Sequence, residues 1–303
     1  MSDIVATTFG FFPRPPEADQ DAADLVRDAQ RAAGLDRIVS GQLDWVDHLA
    51  SPLLAADGVR TGAPSPWSDT DVTYRTPVVT EPISMSDALA PDATALTDVP
   101  VQRRQVVLPG PYTLCSLCED EYYGDDAALL DALASELATA VAGLPPVATV
   151  AILEPALGTT PPDDGLDARA SDAIDDVSAP TDASVVVHVP GGAVTEKVYA
   201  HLMDAAFDAL GVDLVADHDG WLFLVNEYGT TDDIALGVVD AHDESVESPS
   251  LLADRVAWWH ENTPVAEFET VYVTPTDAMA ALSWGSVSGK LSALGGVRDA
   301  APR

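Results

Sequence analysis

Lysine is almost absent from this sequence: Lys197 and Lys290 are the only two, and Lys+Arg total 14 against 50 Asp+Glu. A formal charge of −36 argues against a nucleic-acid partner, because phosphate contacts require a basic surface. Cysteine is scarce too, and Cys115 and Cys118 alone exclude a disulfide-built scaffold. No apolar run reaches the roughly 18 residues needed to cross a bilayer, so no membrane partner is expected. The start, Met1-Ser2-Asp3-Ile4, lacks the basic and then apolar character of a secretory signal. The expected location is the cytoplasm. No Gly-x-Gly-x-x-Gly or phosphate-loop pattern follows any apolar run, which weighs against an open dinucleotide-binding sheet.

Core-forming material is ample. Hydrophobic residues make up 47% of the chain and mean hydropathy is +0.09, so the charge does not imply disorder. The acids are dispersed (Asp19, Asp21, Asp24; Asp163, Asp164; Asp232, Asp233) rather than held in a tail. Self-repulsion at this charge destabilises a compact chain in dilute buffer. At molar salt the Debye length falls to about 3 Å and the repulsion is screened. The expectation is a halophilic protein with salt-dependent folding.

Short apolar runs alternate with amphipathic stretches, the pattern of a repeated strand–helix unit. Strands are expected at Ile4–Phe9, Gln105–Leu108, Val147–Leu153, Ser184–Val189, Val212–Ala216, Ile234–Val239 and Thr270–Val273. Helices are expected at Ala18–Ala33, Asp125–Leu144, Val194–Leu210, Ser250–Glu261 and Ala278–Leu294. Two Pro/Asp/Ala-rich stretches read as long loops: Ser51–Val99, with a hairpin around Val72–Ile83, and Pro161–Ala183, with a short helix. About eight such steps in a chain of this length point to one α/β domain over 1–303, a (β/α)8 TIM barrel with an N-terminal extension. Functional groups then belong at the C-terminal ends of the strands.

Five segments there resemble one family. Thr7-Thr8-Phe9-Gly10-Phe11-Phe12-Pro13-Arg14 resembles the Thr-Thr-x-Gly-Ser-Phe-Pro-Arg opening of the cobalamin-independent methionine synthases. Tyr74-Arg75-Thr76-Pro77 resembles its arginine–proline segment, and Leu108-Pro109-Gly110-Pro111-Tyr112-Thr113-Leu114 its Gly-Pro-x-Thr-Leu turn. Leu153-Glu154-Pro155-Ala156-Leu157 resembles its Asp-Glu-Pro-Ala-Leu strand end. Leu236–Asp240 with Val246-Glu247-Ser248 resembles its late strand and Val-Glu-Ser segment. Order and spacing hold across nearly the whole chain.

The resemblance implies a barrel fold, shared with the uroporphyrinogen decarboxylases, and transfer of a methyl group from a methyl-folate or another small methyl donor to homocysteine. It also implies zinc, which activates the thiol by holding it as thiolate. The family's ligands are a His-x-Cys after one strand, a Glu after the next and a Cys before the last helix. Here His188 is kept, Pro190 and Asp277 stand at the Cys positions, and Val225 stands where Glu is expected, with Glu227 two residues on. With the thiolates replaced, no metal is expected; His188, Glu227 and Asp277 are the residual candidates. Phe11 replaces a Ser, Leu153 an Asp, and Gln42 stands where many members carry Glu.

Substrate-binding candidates by resemblance are Phe9, Gly10, Gln42 and Glu154, the last also the candidate catalytic acid. Bland readings stand beside these. Glu154 is equally a structural carboxylate bound to loop amides. His188 is a core histidine, Cys115 and Cys118 are buried small side chains, Asp217–Gly220 is a solvated loop, and Trp258-Trp259 is packing surface. The expected role is a methyl-transfer barrel working with a zinc-bearing paralogous barrel. The alternatives are a non-catalytic subunit that binds that partner, or a zinc-independent barrel enzyme on another substrate.

Overall fold

Strands buried on both faces read as continuous apolar runs, and here they alternate with helices along the whole chain. The computed structural model describes residues 3–16, 22–66, 73–265 and 268–300. The first half holds β1 (Asp3–Ala6), α1 (Ala22–Ala33), α2 (Ser51–Leu54), β2 (Asp57–Pro66), β3 (Thr73–Ser84), α3 (Ala90–Ala95), β4 (Gln105–Pro109), α4 (Pro111–Leu117), β5 (Glu119–Asp120) and α5 (Asp126–Ala142). Next come β6 (Thr149–Leu153), α6 (Ala156–Thr159), α7 (Leu166–Ser178), β7 (Ser184–Val189), α8 (Glu196–Asp204) and β8 (Ala209–Asp213). The chain continues through α9 (His218–Tyr228), β9 (Asp233–Val239), α10 (Pro249–Asn262), β10 (Thr270–Pro275), α11 (Trp284–Gly295) and α12 (Val297–Ala300).

Seven strands form one curled sheet in the order β1-β10-β9-β8-β7-β6-β4, and all its pairings are parallel. The gap between its edges is bridged by residues 36–39. Asp36 N–H donates to the Ala6 carbonyl at 2.8 Å, Ile38 N–H to Arg103 O at 2.7 Å, and Gln105 N–H to Ile38 O at 3.0 Å. Ile38 thereby makes a parallel bridge to Arg104. Side chains reinforce the seam: the Asp36 carboxylate accepts from Ala6 N–H at 2.8 Å, and Gln105 accepts from the Thr7 hydroxyl and donates to Thr8 O, both at 2.8 Å. The expected barrel architecture is the observed one.

Four expectations change in detail. The stretch 51–99 carries more than loop: β2 and β3 form an antiparallel hairpin, extended by β5 alongside β3. Val72 and the expected helix start at Ala18 lie outside the described residues. The stretch 161–183 is mostly α7, whose Ala170, Ala173, Ile174 and Val177 are buried at helical spacing as it packs on α5. Helix α8 stops at Asp204, and Ala209–Leu210, read as helical, begin β8 instead. The segment around Asp217–Gly220 is no solvated loop but the start of α9, with Asp217 accepting from Gly220 N–H at 2.9 Å as its cap.

Some of the acid excess works in this way: Asp125 caps α5 through Ala128 N–H at 2.9 Å. The packing reading holds for fully buried Trp259 and for Cys115. Burial pushes the Cys115 thiol up to about 12, far from reactive thiolate character. Among the described residues, no helix is long and apolar enough to cross a membrane.

Candidate active site at the barrel mouth

The segments that follow the C-terminal ends of β1, β6, β7, β9 and β10 line a cavity of about 470 Å3. Its wall includes Phe11, His48, Pro155, Pro190, His242 and Asp277. The turn that leaves β1 is held in an unusual backbone. Gly10 and Phe11 both have positive φ, at 70° and 36°, and so does Gln42, at 49°. A non-glycine residue adopts this region only when its surroundings hold it there. The Gln42 side-chain carbonyl does so by accepting from Phe11 N–H at 3.1 Å. It crosses so close to Gly10 that a Cβ there would lie 2.1 Å from Gln42 Oε1. The outcome is that Phe11 faces the cavity, with its ring 5.7 Å from that of His48.

His188 ends β7 beneath this turn, fully buried, with Phe9 stacked on its ring at 4.2 Å. Its Nε2 lies 2.7 Å from the Thr276 carbonyl. A carbonyl only accepts, so Nε2 carries the hydrogen and Nδ1 the lone pair. Nδ1 has no hydrogen-bond partner. Burial lowers the pKa of this imidazole, which keeps it neutral.

The strand after β7 is β8, and the acid at its end is Asp213, not Glu227. Glu227 is exposed in the last turn of α9, which runs back toward the start of β9, away from the mouth. Sequence reasoning missed Asp213 because β8 was placed three residues too late. The available signal was the apolar run Ala209–Val212 ending in an acid. Asp213 is 2% exposed and its oxygens are committed. Oδ1 accepts from Val215 and Ala216 N–H, both at 2.9 Å, and Oδ2 from Gly191 N–H at 3.2 Å. Asp277, after β10, does face the cavity, with Oδ2 3.8 Å from His242 Nε2.

The side chains at the expected zinc positions do not fit that ion. A catalytic zinc takes three protein ligands. Pro190 has no donor and Asp213 is engaged by three amides, so only the free Nδ1 of His188 and the carboxylate of Asp277 remain, two donors where three are needed. Among the described residues, no three His, Cys, Asp or Glu gather as a metal-holding group.

Phe9, Gly10, Gln42 and Glu154 lie behind the cavity wall rather than on it. Glu154 is fully buried and accepts from Tyr112 N–H at 3.0 Å, Thr113 N–H at 2.8 Å and the Thr113 hydroxyl at 2.6 Å. These donors sit at the start of α4, where orphan helix amides seek an acceptor. Burial outweighs them and raises its pKa to about 7. Gly110 is required beside it, since a Cβ there would sit 2.1 Å from Glu154 Cδ. The carboxylate joins β6 to the β4–α4 turn and fixes Pro155 at the cavity edge.

The family model for the cobalamin-independent synthase catalytic domain matches residues 16–302 of this chain. Among solved structures, a B12-independent methionine synthase from Shewanella sp. W3-18-1, in complex with selenomethionine, superposes with a TM-score of 0.82 at 20% identity. That match covers 97% of this chain and 96% of the other. A putative vitamin-B12-independent methionine synthase from Listeria monocytogenes gives a TM-score of 0.70 at 16% identity, covering 99% and 98%. No curated protein matches.

Proposed function

The chain belongs to the catalytic-domain family of the cobalamin-independent methionine synthases, and from that premise we propose that it is a methyl-transfer barrel that holds the methyl donor while a zinc-bearing paralogous barrel activates homocysteine. The observation that carries the second half is the donor set itself: Pro190 and Asp277 stand at the two thiolate positions, and among the described residues no three His, Cys, Asp or Glu gather as a metal-holding group. A thiol is a poor nucleophile until it is deprotonated, and the described residues of this mouth gather no set of three ligands that would hold a metal to do it. His188 is neutral and dry, and Glu154 is spent on amides.

The amino-acid end of the site is also changed. Leu153, at the position of an acid in the family, is buried and apolar, so a substrate ammonium finds no partner there. Phe11 adds a ring where the family has a hydroxyl. What remains is a cavity of about 470 Å3 with an aromatic wall and the polar groups of His48, His242 and Asp277, which suits a flat, largely neutral ring better than a small zwitterion.

The test is methyl transfer from 5-methyltetrahydrofolate to homocysteine in high salt, with this chain alone, with a zinc-bearing family barrel alone, and with both. Methionine formed only by the pair supports the reading. Full turnover by either barrel alone contradicts it.

A further inference from the structure

Among the described residues, Asp92 is a buried acid with no cationic partner. It stands in α3, 7% exposed. Its Oδ2 accepts from the indole Nε1–H of Trp45 at 3.0 Å, and its Oδ1 accepts from the Ser40 hydroxyl. An indole only donates. Ser40 Oγ accepts from Gln42 N–H at 3.2 Å, which leaves its own hydrogen for the carboxylate. Both carboxylate oxygens therefore act as acceptors, the pattern of the ionised form. The charge that bears on Asp92 is another acid, Asp44, which lies 3.6 Å from Arg14. Burial, aided by that acid, pushes the Asp92 carboxyl up. Keeping an uncompensated charge here is costly.

What the charge secures is the turn 40–45. Asp92 grips this turn at both ends, through Ser40 and Trp45. Trp45 N–H closes it on Gln42 O at 3.0 Å, and Gly41 O accepts from Phe12 N–H at 3.1 Å. Inside the turn Gln42 has positive φ, and its side chain holds Phe11 N–H. A line of contacts thus runs from Asp92 through Ser40 and Gln42 to Phe11, whose ring walls the mouth. Residues at positive φ persist only where their surroundings over-determine them. Here that hold ends on one carboxylate, 52 residues from Ser40 in sequence.

We propose that Asp92 is a positioning residue of the mouth: its carboxylate fixes the 40–45 turn, and through Gln42 the Phe11 ring, in the arrangement that receives the ring of the methyl donor. The assignment rests on the methyl-donor reading above and adds the residue that sets the shape of its site. Asp92 itself touches no ligand. An amide in its place accepts at one atom only and cannot serve both donors. Protonation of the carboxylate has the same effect, so the mouth loosens as pH falls.

The experiment measures the dissociation constant of 5-methyltetrahydrofolate by titration calorimetry of the full chain in high salt. Wild type, Asp92→Asn and Ser40→Ala are compared across a pH series, within the folded range that melts of each define. At neutral pH both variants are expected to bind about tenfold more weakly, the effect of releasing a residue held at positive φ. As pH falls, the ratio of Asp92→Asn to wild type closes toward one, because the wild-type carboxylate takes up its proton. Glu154, His48, His242 and Asp277 are present in both proteins and cancel in that ratio. Ser40→Ala carries the same test if Asp92→Asn does not fold. Tryptophan emission of the ligand-free chain is the second readout. The wild type is expected to show a pH-dependent shift that Asp92→Asn and Trp45→Phe lose and Ser40→Ala keeps. Wild-type affinity in either variant, a ratio that does not change with pH, or identical emission profiles for wild type and Asp92→Asn overturns the positioning role alone. No binding of 5-methyltetrahydrofolate by the wild type overturns the donor reading and this assignment together.

Discussion

Gly211 lies directly under His188: a Cβ placed on it would sit 2.5 Å from the imidazole Nδ1 and 2.9 Å from the His188 Cα. The pairing of His188 with Gly211 across β7 and β8 therefore depends on the missing side chain. Gly211→Ala must push backbone as well as ring. The expected cost is about 1–3 kcal/mol, read as a lower urea midpoint and melting temperature. An unchanged midpoint means that the strands separate here without strain.

Glu154 supplies a pH signature. Burial raises its folded-state pKa to about 7 from the ordinary 4.5, so between those values the folded chain binds the proton more tightly than the unfolded one. This group's contribution to stability therefore falls as pH rises from about 4.5 to 7 and is flat above that. Glu154→Gln removes the titration. The stability of the variant relative to wild type is expected to rise with pH across that window, by an amount on the order of 3 kcal/mol at most. Parallel pH profiles for the two proteins refute the assignment.

One of the two lysines is buried. Lys290 Nζ lies 2.8 Å from Glu247 Oε2 and 2.5 Å from Ser245 O, and Glu247 Oε1 accepts from Asp240 N–H at 2.8 Å. This pair ties α11 to the β9–α10 loop that carries His242. Lys290→Met leaves the Glu247 carboxylate with Arg255, at 3.9 Å, as its remaining cation and is expected to cost about 3 kcal/mol. Pairing it with Glu247→Gln should recover much of the loss. Denaturant midpoints of the two single variants and the double variant decide this.

The overall charge makes salt a variable of folding. Exposed pairs such as Arg60–Glu121 at 2.8 Å contribute little, so repulsion among the surplus acids dominates at low ionic strength. Raising KCl from about 0.1 to about 1 M cuts the Debye length from about 10 to about 3 Å. The melting temperature is expected to climb steadily over that range. A flat response contradicts the halophilic reading.

How far the sequence reveals all this depends on burial. Val185–Val189 and Val150–Leu153 are legible as strands because both faces are covered and every position is apolar or β-branched. The stave at residues 36–39 is not legible, since Ile38 and Val39 alone are apolar and its bonds are supplied by β1 and β4. Strand β8 is blurred because Ala209 and Leu210 suit a helix equally well and follow α8 after four residues. Helix α7 is masked by its exposed acids, although its buried stripe has plain helical spacing. At the site, His188 and Asp277 are found through their strand-end positions. Asp213 is lost with the misplaced strand. Glu154 is visible as an acid, but its three amide and hydroxyl donors come from 41 to 42 residues away and no local pattern announces them.

The central claim is that this barrel does not itself activate the thiol, and zinc stoichiometry joined to turnover tests it most directly. The chain is purified in high salt with zinc supplied, chelated gently, and assayed for bound metal and for methionine formed from 5-methyltetrahydrofolate and homocysteine. The account predicts substoichiometric zinc, unaffected by His188→Ala, and no methionine from the isolated chain. One zinc per chain, lost in His188→Ala and accompanied by methionine formation in the wild type alone, would contradict it.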